Sequence, residues 1–210
     1  MSVVTNEMQN QVSELYITYF GRAPDAAGFA HWTQALANGA TVEQIGAGFA
    51  QSVEFESNYG GLTPEQQVNR FYQNTLDRDA DSEGLAYWTN LLNNGVSFTT
   101  VAYSIVNTAF VGGTNVNPDD TALVQNKVEV AEYFAIDLAS NDFAVALTAF
   151  DTVTADPASV TVTEARLAEE VNPGTTYTLT TNIDNFTGTA ANDTFSGVTG
   201  TTATSTLNRG

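Results

Sequence analysis

LYITYFGRAPDAAGFAHWTQALANGATVEQIGAGF (residues 15–49) lies over FYQNTLDRDADSEGLAYWTNLLNNGVSFTTVAYSI (71–105) without a gap, at an offset of 56 residues. The match pairs Tyr16 with Tyr72, Arg22 with Arg78, Asp25 with Asp81, Gly28 with Gly84, Trp32 with Trp88 and Gly39 with Gly95. A match of this kind marks a duplicated structural unit. In the first unit Val12, Leu15, Tyr16, Tyr19 and Phe20 recur at three- and four-residue steps, as do Phe29, Trp32, Ala35 and Leu36, and then Ile45, Phe49 and Val53. That period is helical, so each unit reads as helix, turn, helix, turn, helix. Asn38-Gly39 and Asn94-Gly95 stop the second helix of each unit, Thr41 and Ser97 cap the third, and Thr63-Pro64-Glu65-Gln66 opens the helix holding Phe71 and Tyr72. The core expected from this pattern is shared by the two units and centred on Trp32 and Trp88.

Within the second unit, LDRDADSEG (76–84) sets Asp77, Asp79, Asp81 and Glu83 at every second position. Alternating carboxylates suit calcium, which takes about six to eight oxygens. The EF-hand pattern is not met, because Gly84 stands eighth rather than sixth and Trp88 stands where a bidentate Glu belongs. The first unit keeps only Asp25 of the four acids. Two readings stay open: a weak calcium site on Asp77, Asp79, Asp81 and Glu83, or a helix start capped by Asp81 as Asp25 caps its counterpart, with Arg22 and Arg78 bonding the same turns.

The chain carries 24 acidic and 6 basic residues, a formal charge of −18, so nucleic acid and anionic lipid are poor partners. It has no cysteine, which excludes disulfides, thiolate zinc sites and cysteine nucleophiles. The start, MSVVTNEMQNQ, has no Sec-type signal pattern, and no apolar run reaches the length of a transmembrane span. His31, the single histidine, is replaced by Tyr87 in the duplicate and reads as an aromatic flank of Trp32. Without it no Ser-His-Asp set forms, and nothing singles out a carboxylate pair, so no enzyme is expected.

After GGTNVNPDD (112–120), Val124, Val128, Ala131, Phe134 and Leu138 give a further amphipathic helix, and VTVTEARLAEEV (160–171) gives the last. Beyond it the texture changes: the last forty residues hold thirteen threonines, and TYTLTT (176–181) alternates. The fold class is therefore mainly α: a helical domain over 1–172, with repeats at about 12–56 and 68–112, and a short Thr-rich β-forming linker over 173–210. The abrupt ending TLNRG reads as the edge of a longer chain. Tyr16, Tyr72, Trp32 and Trp88 fall on apolar stripes and read as core. Sugar contacts are expected instead from polar loops, at 56–61 (ESNYGG) and 112–120, with no single residue identified.

The duplicated Arg-x-x-Asp-x-x-Gly-x-x-x-Trp, each followed by an Asn-Gly turn and a third helix, resembles the helical repeat called DUF4214, with Asp77 in place of Gly21 in the second copy. TTNIDNFTGTAANDTFSG (180–197) is similar to the opening of the RTX repeats of type I secreted proteins, which bind calcium between turns of a parallel β-roll. That resemblance adds Asp193 to the calcium candidates. Together the two imply the N-terminal anchoring domain of a calcium-dependent bacterial S-layer protein. Its expected partner is the O-polysaccharide of lipopolysaccharide, its expected place the cell surface after type I export, and its expected assembly a surface lattice. The alternative is a lattice or adhesin module that touches only protein.

Overall fold

The computed structural model describes residues 2–113 and 116–173 in full and the backbone of 176–178, 184–188, 194–196 and 205–209. The chain divides into two units, Met1–Glu164 and Ala165–Gly210. The described residues are mainly helical, as the periodicity predicts. The first repeat contributes α1 (Asn6–Phe20), α2 (Ala26–Ala37), α3 (Val42–Phe49) and α4 (Val53–Tyr59). The second contributes α5 (Pro64–Leu76), α6 (Ser82–Asn93) and α7 (Phe98–Val111). Then follow α8 (Pro118–Glu132), which runs into one π-helical turn at Tyr133–Asp137, α9 (Phe143–Leu147) and α10 (Ala158–Val171). No helix among the described residues is long and apolar enough to cross a membrane.

The duplication is kept at most of the helix ends. α2 and α6 start and stop at equivalent residues, and α3 and α7 start at equivalent residues. The local chemistry explains why. Asp25 and Asp81 accept from the amides of Gly28 and Gly84, each at 2.8 Å, and Thr41 and Ser97 cap the third helices. Gly39 and Gly95 take the left-handed conformation after α2 and α6, at φ 96° and 84°. The repeats part company after α3, where Ser52 caps a separate α4 while α7 continues to Val111.

Removing a cap exposes backbone donors that the helix itself cannot satisfy. Asp25→Ala is therefore expected to lose about 0.5–2 kcal/mol of stability, equally in calcium and in chelator. Thermal melts in both media check it, and a loss confined to calcium-containing buffer would tie Asp25 to an ion instead.

α1 and α5 meet at equivalent positions. The Asn74 amide donates to the Thr18 carbonyl at 2.9 Å, and the Thr75 hydroxyl donates to the Thr18 hydroxyl at 3.2 Å. Equivalent residues facing each other is the arrangement of a twofold interface, here formed inside one chain. Around it lies the core that both repeats share. Phe98 sits 4.7 Å from the Phe71 ring, 5.0 Å from Phe55 and Tyr59, and 5.2 Å from Tyr19, mostly edge to face. Tyr19 is fully buried and donates to the Thr99 hydroxyl at 2.8 Å.

This corrects the expected centre of the core. Tyr19 and Phe71 are fully buried, whereas Trp32 and Trp88, like Phe98, are partly buried and pack against the buried cluster. Tryptophan is large and carries an N–H that needs a partner, which Trp88 finds in the Tyr72 hydroxyl at 3.1 Å. The same hydroxyl explains Gly84, since a Cβ there would come within 2.6 Å of it.

In the unit Ala165–Gly210 the described backbone pairs in parallel. β1 (Thr176–Thr178) lies beside β3 (Thr194–Ser196), and β2 (Asp184–Gly188) beside β4 (Ser205–Arg209). Asp193 lies outside the described residues.

Candidate functional site

The four acids of the 77–83 turn go to different places. Asp77 is the C-cap of α5 in the left-handed conformation, φ 55°, as Gly21 is for α1 at 64°. Its carboxylate meets the ammonium of Lys127 at 2.7 Å. Lys127 is itself buried and also donates to the last carbonyls of α5, those of Asn74 at 3.1 Å and Thr75 at 3.2 Å. Burial pushes the Lys127 pKa down and Asp77 opposes the shift. Asp79 accepts from the Gln73 amide at 2.7 Å, Asp81 caps α6, and Glu83 stands exposed in its first turn. The backbone amide of Gly84 leads the causes that hold Asp81 below the usual carboxylate range. The helix-start reading thus describes Asp81 and Asp25. Among the described residues no three acids or histidines gather as a metal site.

The motif arginines bond their own turns, as the sequence leads one to expect, but their two-pronged bonds go to acids elsewhere and not to the capping aspartates. Arg22 clasps Glu54, Nε to Oε1 at 2.7 Å and the second fork nitrogen to Oε2 at 2.8 Å, while Asp25 is 3.9 Å away. Arg78 clasps Asp120 at 2.6 and 3.4 Å. Each arginine also donates to the carbonyl of the residue after it, Ala23 or Asp79 in its own repeat. Both acidic partners sit in the first turn of a later helix, α4 or α8, where the helix dipole favours a carboxylate. No local spacing signals these partners, which lie 32 and 42 residues downstream.

Around this shared frame the repeats differ. Arg22 is closed in: its side chain is 5% exposed and its guanidinium lies 5.1 Å from the Tyr16 ring and 4.8 Å from Phe143. Phe20 lies 5.5 Å from the same guanidinium, and Phe49 packs edge-on to Tyr16 at 4.9 Å and Trp32 at 5.6 Å. In the second repeat Arg78 packs on Tyr72 at 5.4 Å but stays 40% exposed. Leu76 and Ile105 stand where the first repeat has Phe20 and Phe49. The smaller side chains leave a cavity of about 280 Å³. Tyr72, Trp88, Ile105, Ala109 and Val116 give it apolar and aromatic walls, and Arg78, Asp81, Asn117 and Asp120 give it planar polar groups. Three of these, Val116, Asn117 and Asp120, come from the 112–120 stretch.

His31 is exposed, with its ring 4.6 Å from Trp32, and Tyr87 holds the same relation to Trp88 at 4.8 Å. The family described as a domain of unknown function (DUF4214) matches the chain twice, over residues 4–59 and 46–109. The two matches share the end of α3 and all of α4. No curated protein and no solved structure matches the chain.

Proposed function

Because this chain belongs to the family described as a domain of unknown function (DUF4214), we propose that its helical part, 1–172, is the N-terminal anchoring domain of an S-layer-type surface protein, holding lipopolysaccharide by its polysaccharide. The observation that carries this reading is the cavity of the second repeat. Ligand pockets combine apolar walls with a few convergent polar groups, and this one, at about 280 Å³, lies just below their usual range of about 300–1,000 Å³. Aromatic and aliphatic walls suit the C–H face of a sugar ring, and planar carboxylate, amide and guanidinium groups suit its hydroxyls. The role is binding, not catalysis.

The rest of the reading follows the chain onward. In this reading the segment 173–210 is a Thr-rich β-forming linker toward an RTX-like β-roll, an assignment that rests on its threonine content and on the likeness of 180–197 to RTX repeats. Calcium belongs to this proposal through the charge of −18, which divalent cations at an outer surface relieve, and through Asp193. Export is by a type I route and the product is an extracellular lattice.

The test uses residues 1–210 with immobilised smooth and rough lipopolysaccharide in millimolar calcium. Smooth material is expected to retain the protein and rough material to release it. Equal failure on both removes the anchoring reading. It would leave the rival, a lattice module that binds only protein, which the half-exposed Phe143 and Leu147 on α9 favour. Self-association without lipopolysaccharide binding is that rival's signature.

A further inference from the structure

We infer that the duplication has divided its labour: the Arg22 constellation is a structural keystone, and the cavity beside Arg78 is a single site for an uncharged pyranose. The inference rests on the anchoring reading and adds the place and the ligand class. Its basis is the contrast between equivalent positions. The same Tyr, Arg, Asp, Gly and Trp occur in both repeats, yet Phe20 and Phe143 close the first around its guanidinium, with Phe49 packed behind on Tyr16. Ile105 leaves the second open.

Charge decides the ligand class. An acidic sugar needs a free cation, and Arg78, the one cation among the described lining residues, is already held by Asp120 and by the Asp79 carbonyl. Asp81 and Asp120 put two carboxylates on the lining against that single guanidinium. A uronate would enter against both, and against the charge of the whole chain. A neutral ring meets no such opposition. Its hydroxyls can donate to Asp81 and Asp120, and Asn117, which lines the same rim, offers an amide. The ring's C–H groups lie against Tyr72, Trp88 and Ile105.

The experiment titrates residues 1–210 with two detergent-dispersed smooth lipopolysaccharides, one with a neutral polysaccharide and one rich in uronic acid. Thr108 lines the cavity from an exposed position on α7, so Thr108→Trp obstructs it without entering the core. Thr108→Trp is expected to weaken binding of the neutral polysaccharide about tenfold or more while keeping the melting temperature, and His31→Ala to change neither. Asp120→Asn supplies a second variant and decides alone if Thr108→Trp does not fold. A parent that binds neither polysaccharide overturns the anchoring reading and this inference with it. A parent that binds, with both cavity variants binding equally well, leaves the anchor standing and overturns the site. Uronate-rich material bound as tightly as neutral overturns the ligand class.

Discussion

Arg22→Ala is expected to cost the fold about 3–5 kcal/mol, whereas Arg78→Ala, at the equivalent position, costs less, about 1–3 kcal/mol. Truncating Arg22 removes a two-pronged bond to Glu54 and a bond to the buried carbonyl of Ala23, and it strips the Tyr16 and Phe143 rings of the cation between them. Glu54 is left a mostly buried carboxylate without its partner. Leaving a buried charge uncompensated is what makes such losses large. Arg78 makes the same kinds of bond from a side chain that is 40% exposed, so water takes over part of what it supplies, although its loss leaves Asp120, 13% exposed, without its partner. Against a typical total stability of about 5–15 kcal/mol, the first variant is marginal and the second ordinary. Arg22→Lys recovers only part of the loss, since an ammonium cannot reproduce the fork. Urea melts of the three variants decide the matter: equal destabilisation by Arg22→Ala and Arg78→Ala would show that the two copies are not specialised.

What the sequence made legible is what is local. The duplication, the Asp25 and Asp81 caps and the glycine stops all follow from residues within one or two turns of each other, where spacing and geometry are the same thing. What it hid is what needs depth or distance. An apolar stripe shows which side of a helix faces inward but not how far, so Trp32 and Trp88 read as core centres although Tyr19 and Phe71, both fully buried, hold that place. The alternating acids of 77–83 looked like a ligand series because spacing does not reveal direction. Asp77 in fact replaces a left-handed glycine and points its carboxylate at Lys127, 50 residues away. The cavity is a middle case. The 112–120 stretch was marked by composition as a polar link between helices, and Asp120 becomes part of a pocket only because Arg78 reaches it across 42 residues. A site assembled from repeat differences is visible in one sequence only after the frame of the repeats is known, when Ile105 can be read as a shortened Phe49.

Glu14→Gln is expected to stabilise the protein by about 2–3 kcal/mol at pH 8.5 and to leave it nearly unchanged below pH 4.5. Glu14 is a buried acid on α1, 1% exposed, with one carboxylate oxygen lacking a hydrogen-bond partner. Desolvation raises its pKa from 4.5 to about 7, and a bond from Asn107 only partly offsets this. The folded state therefore holds the proton more tightly than the unfolded chain does. Below the ordinary value both states are protonated and the group takes nothing from stability. As pH rises from 4.5 through about 7 the unfolded chain releases its proton first, and that difference is subtracted from the folding free energy. Above pH 7 the loss is complete and constant. Gln keeps the shape of protonated Glu without the charge, so it removes the loss where it exists and changes little where it does not. Glu132, pushed to about 7 by burial and then by Glu129, adds to the same slope in parent and variant alike and cancels in their difference. Chemical denaturation at pH 4.5, 6 and 8.5 reads this directly. A gain that is the same at all three values, or a loss at pH 8.5, would mean that the buried carboxylate of Glu14 does not carry its charge at the expense of the fold.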